Sequence, residues 1–427
     1  MYKVLFANLA TESTGEVIYL LNSLKRHNDA EVKLYLLVHE DLKNIAERFN
    51  GEVILHPYKE EELLEEIKKL SRDFHFIILN AVNAAILESC IRLASKISET
   101  IEYLLKKKVK VGVNDIHASC VRTFEEREKL IEEIKEKAKK LVHPQKKRMY
   151  YFESIVPRRA RAMILFIPQE VYVFRSVPLT FPRNVLEEKK ERIFYYDGDF
   201  IKFERKKGLL DKILISHSRV ASRMLFSLYK EKALLLLENL IGKVIPAIYE
   251  SLKEKETKEI ILMDPNECFQ KESYKNLKIK RYKYVPPDEF RDILSRVLFT
   301  VSFVSHTTIG VYSILNGIPF LSIYSSRFST DIPWMDKILF PLYLPPFESL
   351  GQIEGDIAWR GMFSNNPYFE AIVYGDISDE ENLHKTIKDI LTGVPQRRID
   401  SYITKFKALN LPLFSELICD LVRGGSS

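Results

Sequence analysis

Residues 298 to 319 have the sequence LFTVSFVSHTTIGVYSILNGIP. The apolar, β-branched run 298–304 is typical of a buried strand, and residues 310–316 follow with the character of a helix. A polar loop separates the two, and Asn316-Gly317 with Pro319 just beyond marks the helix end. Strand, polar loop and helix in this order predict one βα unit of a parallel sheet.

The same alternation extends along the chain in both directions. The predicted strands are 2–9, 32–38, 52–55, 74–80 and 109–113 in a first series and 193–196, 213–216, 259–263, 278–282, 298–304, 318–324 and 370–373 in a second. Helical patterns separate most of these strands, as a parallel sheet with crossover helices requires. We therefore predict an α/β protein with two Rossmann-like doubly wound domains that face each other across a cleft.

The length of 427 residues is enough for two or three domains at roughly 100 to 200 residues each. A stretch without clear periodicity, close to residue 185, separates the two series. We predict an N-terminal domain at 1–185, a C-terminal domain at 186–400 and a closing segment at 401–427. The helix of that segment is expected to pack back on the N-terminal domain and to end in a loose tail.

Composition excludes several classes of protein. With 46% hydrophobic residues the chain is too apolar for a disordered protein, and the formal net charge of +6 is too small to identify a partner. The four cysteines, Cys90, Cys120, Cys268 and Cys419, are far apart in sequence, so we expect neither a zinc site nor a disulfide scaffold. No metal and no cofactor are predicted.

The first residues lead directly into a β-like run, and no apolar segment reaches the roughly 20 residues needed to cross a bilayer. The expectation is a cytoplasmic protein without a signal peptide. Only five Gln occur beside abundant Lys, Glu and Ile, a composition that favours a thermophilic source.

The loop between strand 298–304 and its helix is the strongest candidate site. Its hydroxyls, its imidazole and the amides at a helix start would suit a diphosphate, because the helix dipole and the N–H groups both favour negative charge. The alternative is that Thr307 or Thr308 merely caps the helix. The candidate substrate-binding residues here are Ser305, His306, Thr307, Thr308, Ile309 and Gly310.

A second candidate loop follows the first strand. Thr14 and Gly15 would allow close approach of a substrate, and Glu16 is a candidate catalytic base if burial raises its pKa. The alternative is a Glu16 that complements the helix dipole in the first turn.

Three further strand ends carry polar residues. Ser216, Ser218 and Arg219 follow strand 213–216, and Arg219 is either a diphosphate clamp or an ordinary surface arginine. After strand 109–113, Asn114 is a candidate substrate-binding residue, and Asp115 with His117 forms a candidate acid/base pair, although a satisfied loop carboxylate is the commoner case. Asn80 ends its own strand and would line the acceptor side.

Basic residues cluster at 106–110 and again at 146–161, where Tyr150, Tyr151 and Phe152 are interleaved. Such patches suit an anionic surface such as acidic lipid or nucleic acid, although a solvated loop is the more common role. No helix-turn-helix, zinc-finger or RNA-recognition signature accompanies them, so a nucleic-acid partner is not expected. The motifs GxxxxGK[ST], HExxH and GxSxG are also absent from the sequence.

The second half resembles the nucleotide-sugar domain of glycosyltransferases of the two-Rossmann (GT-B) type. The resemblance rests on the run 285–290, the strand and loop 301–310, and the segment 315–319, which occur in the family's order and spacing. It implies that Tyr284 and Val285 lie beside the base of the nucleotide and that the 305–310 loop holds the diphosphate. A Gly pair is usual where Thr307 and Thr308 stand, and a Glu that binds the ribose is usual where Tyr312 falls. A His is usual in place of Glu16.

The resemblance implies a glycosyltransferase that needs no metal. It would bind a nucleotide diphosphate sugar on the C-terminal domain and an acceptor on the N-terminal one, with the acceptor anionic or associated with a membrane. Two alternatives remain: a nucleotide-sugar 2-epimerase-like enzyme, or a binding or scaffold subunit without catalysis. The sugar, the base, the acceptor and the oligomeric state stay open.

Overall fold

The structure is a computed structural model that divides into two compact units. One contains the described residues of Met1–Asp199 and Asn410–Ser427 together with Asn366, and the other those of Phe200–Pro346 and Pro367–Leu409. The structure describes residues 1–11, 14–82, 85–86, 93–116, 121–124, 127–129, 131–132, 136, 165–177, 192–198, 203, 205–206, 210–217, 232–252, 259–265, 267–283, 285, 287–305, 307–324 and 366–424.

The first unit is built on a seven-stranded sheet. Its strands are β1 (Tyr2–Asn8), β2 (Val32–His39), β3 (Glu52–His56), β4 (Phe76–Asn80), β5 (Lys110–Asn114), β8 (Tyr172–Val177) and β9 (Ile193–Asp197), while β6 (Val121–Thr123) and β7 (Leu165–Ile167) form a separate pair. The sheet order is β3-β2-β1-β4-β5-β8-β9, and every neighbouring pair is parallel. Strand β4 is buried at all five positions, as expected for a central strand covered on both faces.

The helices of the first unit are α1 (Thr14–Leu24), α2 (Lys43–Ala46), α3 (Glu60–Leu70), α4 (Ala94–Lys106) and α11 (Phe414–Arg423). The last of these returns from the end of the chain to the first sheet. Phe414 is fully buried, its ring stacks on Tyr196 with centroids 4.3 Å apart, and it meets Phe174 edge-on at 5.1 Å. Burial of such a ring contributes about 1.5 to 3 kcal/mol, so α11 is an integral part of the first core.

The second unit also contains a seven-stranded sheet. Its strands are β10 (Lys212–Ser216), β11 (Glu259–Met263), β12 (Ser273–Tyr274), β13 (Leu277–Tyr282), β14 (Val297–Ser302), β15 (Phe320–Tyr324) and β16 (Val373–Asp376). The sheet order is β12-β13-β11-β10-β14-β15-β16, antiparallel only at the β12 edge. The helices are α5 (Lys232–Ser251), α6 (Pro287–Ser295), α7 (Thr308–Leu315), α8 (Pro367–Ala371), α9 (Glu380–Leu391) and α10 (Gln396–Ala408).

The predicted α/β class with two doubly wound domains is confirmed, because each unit contains a mostly parallel seven-stranded sheet with this topology. Two strand assignments were wrong. Residues 193–197 pair with β8 at the edge of the first sheet rather than opening the second, and the first unit extends to Asp199. Residues 367–371 are helical, and the strand predicted at 370–373 runs instead from Val373 to Asp376.

The closing segment also differs from the prediction. Helix α10 belongs to the second unit, where α8 and α7 are its neighbours, and only α11 returns to the first. The chain passes between the units at Leu409 and Asn410, where Asn410 has a left-handed φ of 45°. No helix in the described ranges is long and apolar enough to cross a membrane.

Candidate functional site

In each sheet, successive strands are added first on one side of the opening strand and then on its other side. The place where this change occurs is the topological switch point. In the first sheet it lies between β1 and β4, and in the second between β10 and β14. Ligands of open α/β sheets bind outside the carboxyl ends of the strands at such points. The carboxyl ends of these four strands are therefore the places to look for a site.

A row of serines crosses the carboxyl ends of three strands in the second sheet. Ser216 of β10 is in register with Ser302 of β14, and Ser302 is in register with Ser322 of β15. Ser305, in the loop after β14, places its hydroxyl 2.8 Å from that of Ser322, and its carbonyl accepts a hydrogen bond from Tyr368. Ser305 is fully buried, so its hydroxyl anchors the loop to β15.

Helix α7 starts directly above this row. Thr307 is its N-cap, and the Thr307 hydroxyl accepts a hydrogen bond from Gly310 N at 3.0 Å. Thr307 therefore has the helix-capping role that was the alternative to diphosphate binding. By helix geometry the first-turn amides of Thr308 and Ile309 have no acceptor within the helix. Because Thr307 already supplies the cap, these two amides remain oriented for an anion.

Gly310 is required by packing. A Cβ at this position would lie 2.6 Å from Phe320 Cε1 and 2.6 Å from the Tyr368 hydroxyl. The helix start can approach β15 this closely only because residue 310 has no side chain. The glycine thus sets the position of the amides at the start of α7.

We expect Gly310→Ala to lower the free energy of unfolding by about 1 to 3 kcal/mol, the usual cost of overpacking a core. Gly242→Ala is the matched control, because a Cβ at Gly242, exposed inside α5, would meet nothing within 4 Å. Removing a mid-helix glycine there should stabilise the protein by about 0.5 to 1 kcal/mol. Denaturant unfolding measures the change in the free energy of unfolding for both variants. Equal changes of the same sign would contradict the packing requirement at Gly310.

Three more of the substrate-binding candidates are buried. Tyr312 is 5% exposed and meets the ring of Phe290 of α6 edge-on, so its ring is part of the α6–α7 packing. Val285 and Ser216 are buried as well.

A cluster of titratable side chains follows β10 and β11. His217 Nε2 donates to Asp264 Oδ1 at 2.9 Å, and the Cys268 thiol donates to the same oxygen at 3.2 Å. Phe269 N donates to the other carboxylate oxygen at 2.9 Å. All three side chains are buried. The large separation of the cysteines in sequence did not indicate this cluster, because adjacent parallel strands bring together residues distant in sequence.

Burial acts to raise the pKa of Asp264, but the hydrogen bonds from His217 and Phe269 N outweigh it and hold that pKa below its usual range. Burial, and then the charge of Asp264, raises the pKa of the Cys268 thiol. Cys268 therefore keeps its proton and is not an activated nucleophile.

A row of asparagines crosses the carboxyl ends of the first sheet. Asn80 Nδ2 donates to Asn8 Oδ1 at 2.9 Å, and Asn114 Nδ2 donates to Asn80 Oδ1 at 2.7 Å. Asn8 Nδ2 donates in turn to Ala10 O at 2.7 Å, and the Tyr196 hydroxyl donates to Asn114 Oδ1 at 2.9 Å. The members of this asparagine row are fully buried or nearly so. Asn80 and Asn114 therefore hold the strand ends together.

Glu16 lies close to the asparagine row. Burial raises the pKa of Tyr196, the hydrogen bonds with Asn114 and Ser176 oppose this rise, and the negative charge of Glu16 adds to it. Glu16 itself is half-buried in the first turn of α1, beside Gly15. The structure thus brings Asn80 and Asn114 together, and the charge of Glu16 acts on the Tyr196 hydroxyl that bonds Asn114.

Asp115 is buried at the end of β5, where its backbone N donates to Phe174 O at 2.9 Å. Thr14 begins α1. Of the remaining predicted site residues, His117, Ser218, Arg219, Tyr284 and His306 lie outside the described residues.

Sequence reasoning did not identify Asn8, Tyr196, Ser302, Ser322 or the cluster around Asp264. The asparagines had a signal, because β1, β4 and β5 each end in Asn. The cluster around Asp264 had no such signal in the sequence, since His217, Asp264 and Cys268 are brought together by strand order alone.

Two histidines end neighbouring strands of the first sheet. His39 of β2 and His56 of β3 are in register, and their rings meet edge-on with centroids 5.6 Å apart. Burial, with a smaller contribution from His39, lowers the pKa of His56 from 6.5 to about 4. His56 is therefore neutral in the folded protein at neutral pH.

Stability should fall as the pH is lowered from about 6.5 to about 4, because the unfolded chain protonates His56 in this range while the folded protein does not. A loss of about 2 kcal/mol is expected from this residue. In His56→Leu the slope of unfolding free energy against pH should flatten, whereas His75→Leu, at an exposed position, should keep it. An unchanged slope in His56→Leu would exclude this origin.

The basic cluster at 106–110 lies at the amino ends of strands in the first sheet. Arg72, Lys107, Lys108 and Lys110 line a surface cavity of about 430 Å³ at the amino ends of β1, β4 and β5. The asparagine row lies at the carboxyl ends, so this cluster and the row are at opposite ends of the strands. The second basic cluster, 146–161, falls outside the described residues.

Comparison with known proteins identifies the fold and leaves the family open. No protein-family model matches the sequence, and no curated protein matches it either. Among solved structures, the glycotransferase of kitacinnamycin is similar at a TM-score of 0.53, with 10% identity over 98% of each chain. The spinosyn forosaminyltransferase SpnP is also similar at 0.53, with 11% identity over 99% of each chain. The chain has the two-Rossmann (GT-B) fold of such enzymes and is strongly divergent from them in sequence.

Proposed function

We propose that the protein is a glycosyltransferase that transfers a sugar from a nucleotide diphosphate sugar to an acceptor, without a catalytic metal. The observation that carries the proposal is the start of α7 at the switch point of the second sheet, with first-turn amides above a serine row. The names of the two similar structures, both enzymes of sugar transfer, support the same class of reaction.

In this proposal the diphosphate of the donor lies at the start of α7. The amides of Thr308 and Ile309 and the helix dipole stabilise the charge that develops on the leaving diphosphate. Ser305, Thr307 and Gly310 position these amides through the contacts described above. This arrangement needs no metal ion to neutralise the leaving group.

The acceptor is proposed to bind at the carboxyl ends of the first sheet. Glu16 is the favoured base, because it is only half-buried and lies beside the asparagine row. Asp115 is a weaker candidate because it is buried. The base would take the proton of the acceptor hydroxyl as the sugar is transferred.

Arg219 is proposed as a clamp on the diphosphate, since it follows closely on β10, which borders the switch point. Arg219→Ala should weaken nucleoside diphosphate binding at least about tenfold, the cost of one charge-assisted hydrogen bond. Arg397→Ala, at an exposed position of α10, is the matched control and should bind as the wild type does. Equal affinities of the two variants would remove Arg219 from the donor site.

The experiment that tests the function is calorimetry with a panel of nucleoside diphosphates, monophosphates and nucleotide sugars, followed by turnover assays. We expect one nucleoside diphosphate to bind more tightly than its monophosphate, and the matching nucleotide sugar to be consumed with an acceptor. Binding without turnover would favour a binding subunit without catalysis. Conversion of the nucleotide sugar to a different nucleotide sugar in the absence of an acceptor would favour an epimerase. No binding by any member of the panel would contradict the donor site itself.

A further inference from the structure

The cluster of His217, Asp264 and Cys268 has the geometry of a metal site. In the described part of the chain it is the one group of three such side chains close enough to share an ion. His217 Nε2, Asp264 Oδ1 and Cys268 Sγ are separated by 2.9, 3.2 and 3.8 Å. The point in their plane that is equidistant from these atoms lies about 2 Å from each, close to zinc–ligand bond lengths.

We propose that these three residues bind one Zn²⁺ ion, with water as the fourth ligand. Nitrogen, sulfur and carboxylate oxygen together favour zinc over Mg²⁺ or Ca²⁺, which take oxygen ligands. A zinc ion displaced slightly from the plane of the three atoms has three protein ligands and an open fourth position, and small side-chain rotations would bring the unequal ligand angles towards tetrahedral values. The glycosyl transfer proposed above does not depend on this ion.

The surroundings of the cluster support the site. Phe269 N holds the second oxygen of Asp264, which orients the first oxygen toward His217 and Cys268. Hydrogen bonds of this kind around metal ligands are a regular feature of metal sites. Asp264 also lines a surface cavity of about 550 Å³, so the cluster lies just below the protein surface.

Zinc binding requires a defined exchange of protons. In the metal-free protein His217 Nε2 and the Cys268 thiol both donate to Asp264 Oδ1. On binding, the lone pair of His217 Nε2 binds zinc, and a ring proton is held at Nδ1. The Cys268 thiol loses its proton to solvent, and its thiolate binds the ion. Zinc binding is therefore accompanied by release of the thiol proton.

The consequence for the fold is a cross-link between the ends of β10 and β11, beside the second switch point. His217 follows β10 directly, and Asp264 follows β11 directly. An ion shared by them and by Cys268 fixes the loops after the two strands to each other. Zinc should therefore raise the thermal midpoint of unfolding, because it binds the folded protein in preference to the unfolded chain.

The test uses the full chain, freed of metal by a chelator and titrated with zinc in competition with a chromophoric chelator. The wild type should bind one equivalent of zinc, with release of the thiol proton. Cys268→Ser should lower the affinity at least about 100-fold, since even loss of a residue that only supports a ligand costs about 10- to 100-fold. Cys419→Ser is the matched control, because Cys419 is also a buried free cysteine, 3.9 Å from His27 Nδ1. It should bind zinc as the wild type does.

A second measurement covers the case in which Cys268→Ser does not fold. Cobalt titrated into the metal-free wild type should produce the charge-transfer absorption of a cobalt–thiolate bond, at one equivalent. Absence of that absorption would overturn the proposal. It would also be overturned if the wild type shows no saturable zinc binding at one equivalent, or if folded Cys268→Ser binds zinc as tightly as the wild type.

Discussion

Asn80→Leu is expected to lower the free energy of unfolding by about 3 kcal/mol, because the asparagine row loses its central member. The leucine is of similar size but can neither donate to Asn8 Oδ1 nor accept from Asn114 Nδ2. Both groups are buried, so each would be left without the bond it makes in the wild type. Leaving a buried polar group unsatisfied costs about 1 to 3 kcal/mol. Denaturant unfolding followed by circular dichroism measures the loss.

Two variants accompany this measurement. Tyr196→Phe removes the hydroxyl that bonds Asn114 and Ser176 at the end of the row and should cost less, about 1 to 2 kcal/mol. Asn44→Leu, at an exposed position of α2, should change stability by no more than about 0.5 kcal/mol. If Asn80→Leu proved as stable as Asn44→Leu, the asparagine row would not hold the strand ends together.

Thr308→Pro is expected to weaken nucleoside diphosphate binding by about 10- to 100-fold while leaving the fold intact. Residue 308 is the first of α7, where proline is well tolerated because the missing N–H has no acceptor in the helix. Thr307 already has the extended backbone that a following proline requires, with φ −113° and ψ 149°. The substitution therefore removes one N–H donor from the proposed diphosphate site, a charge-assisted bond worth about 1.5 to 3 kcal/mol.

Glu380→Pro is the matched control for this variant. Glu380 is the first residue of α9, whose N-cap, Asp379, is likewise extended and accepts from Asn382 N. Because α9 follows the edge strand β16, away from the switch point, the same change there should leave nucleotide affinity unaltered. Calorimetry with a nucleoside diphosphate tests both variants. If Thr308→Pro bound it with the affinity of the wild type, the amide of Thr308 would be excluded from the diphosphate site.

The sequence predicted the strands and helices better than their assembly. The helix predicted at 310–316 corresponds to α7, and the strand at 259–263 matches β11, because periodicity and β-branched runs determine such elements locally. The strand at 193–197 was assigned to the wrong sheet. A short apolar run does not reveal its neighbours, and β9 joins the first sheet through pairing with β8 and contact with the distant α11.

The candidate site was predictable where it depends on order along the chain. Strand, loop and helix at 298–315 place the start of α7 at the carboxyl end of β14, and Thr307 is a recognisable cap. The burial of the site residues was not predictable, because Ser305 and Tyr312 are polar in sequence but buried in the structure. Contacts such as that of Gly310 with Tyr368 join residues far apart, which the sequence alone does not show.

The central claim is that the start of α7 holds the diphosphate of a nucleotide donor. A crystal structure of the full-length protein with a bound nucleoside diphosphate tests it most directly. The predicted result has diphosphate oxygens accepting hydrogen bonds from the backbone amides of Thr308 and Ile309. A diphosphate bound elsewhere, with these amides making no contact to it, would contradict the account.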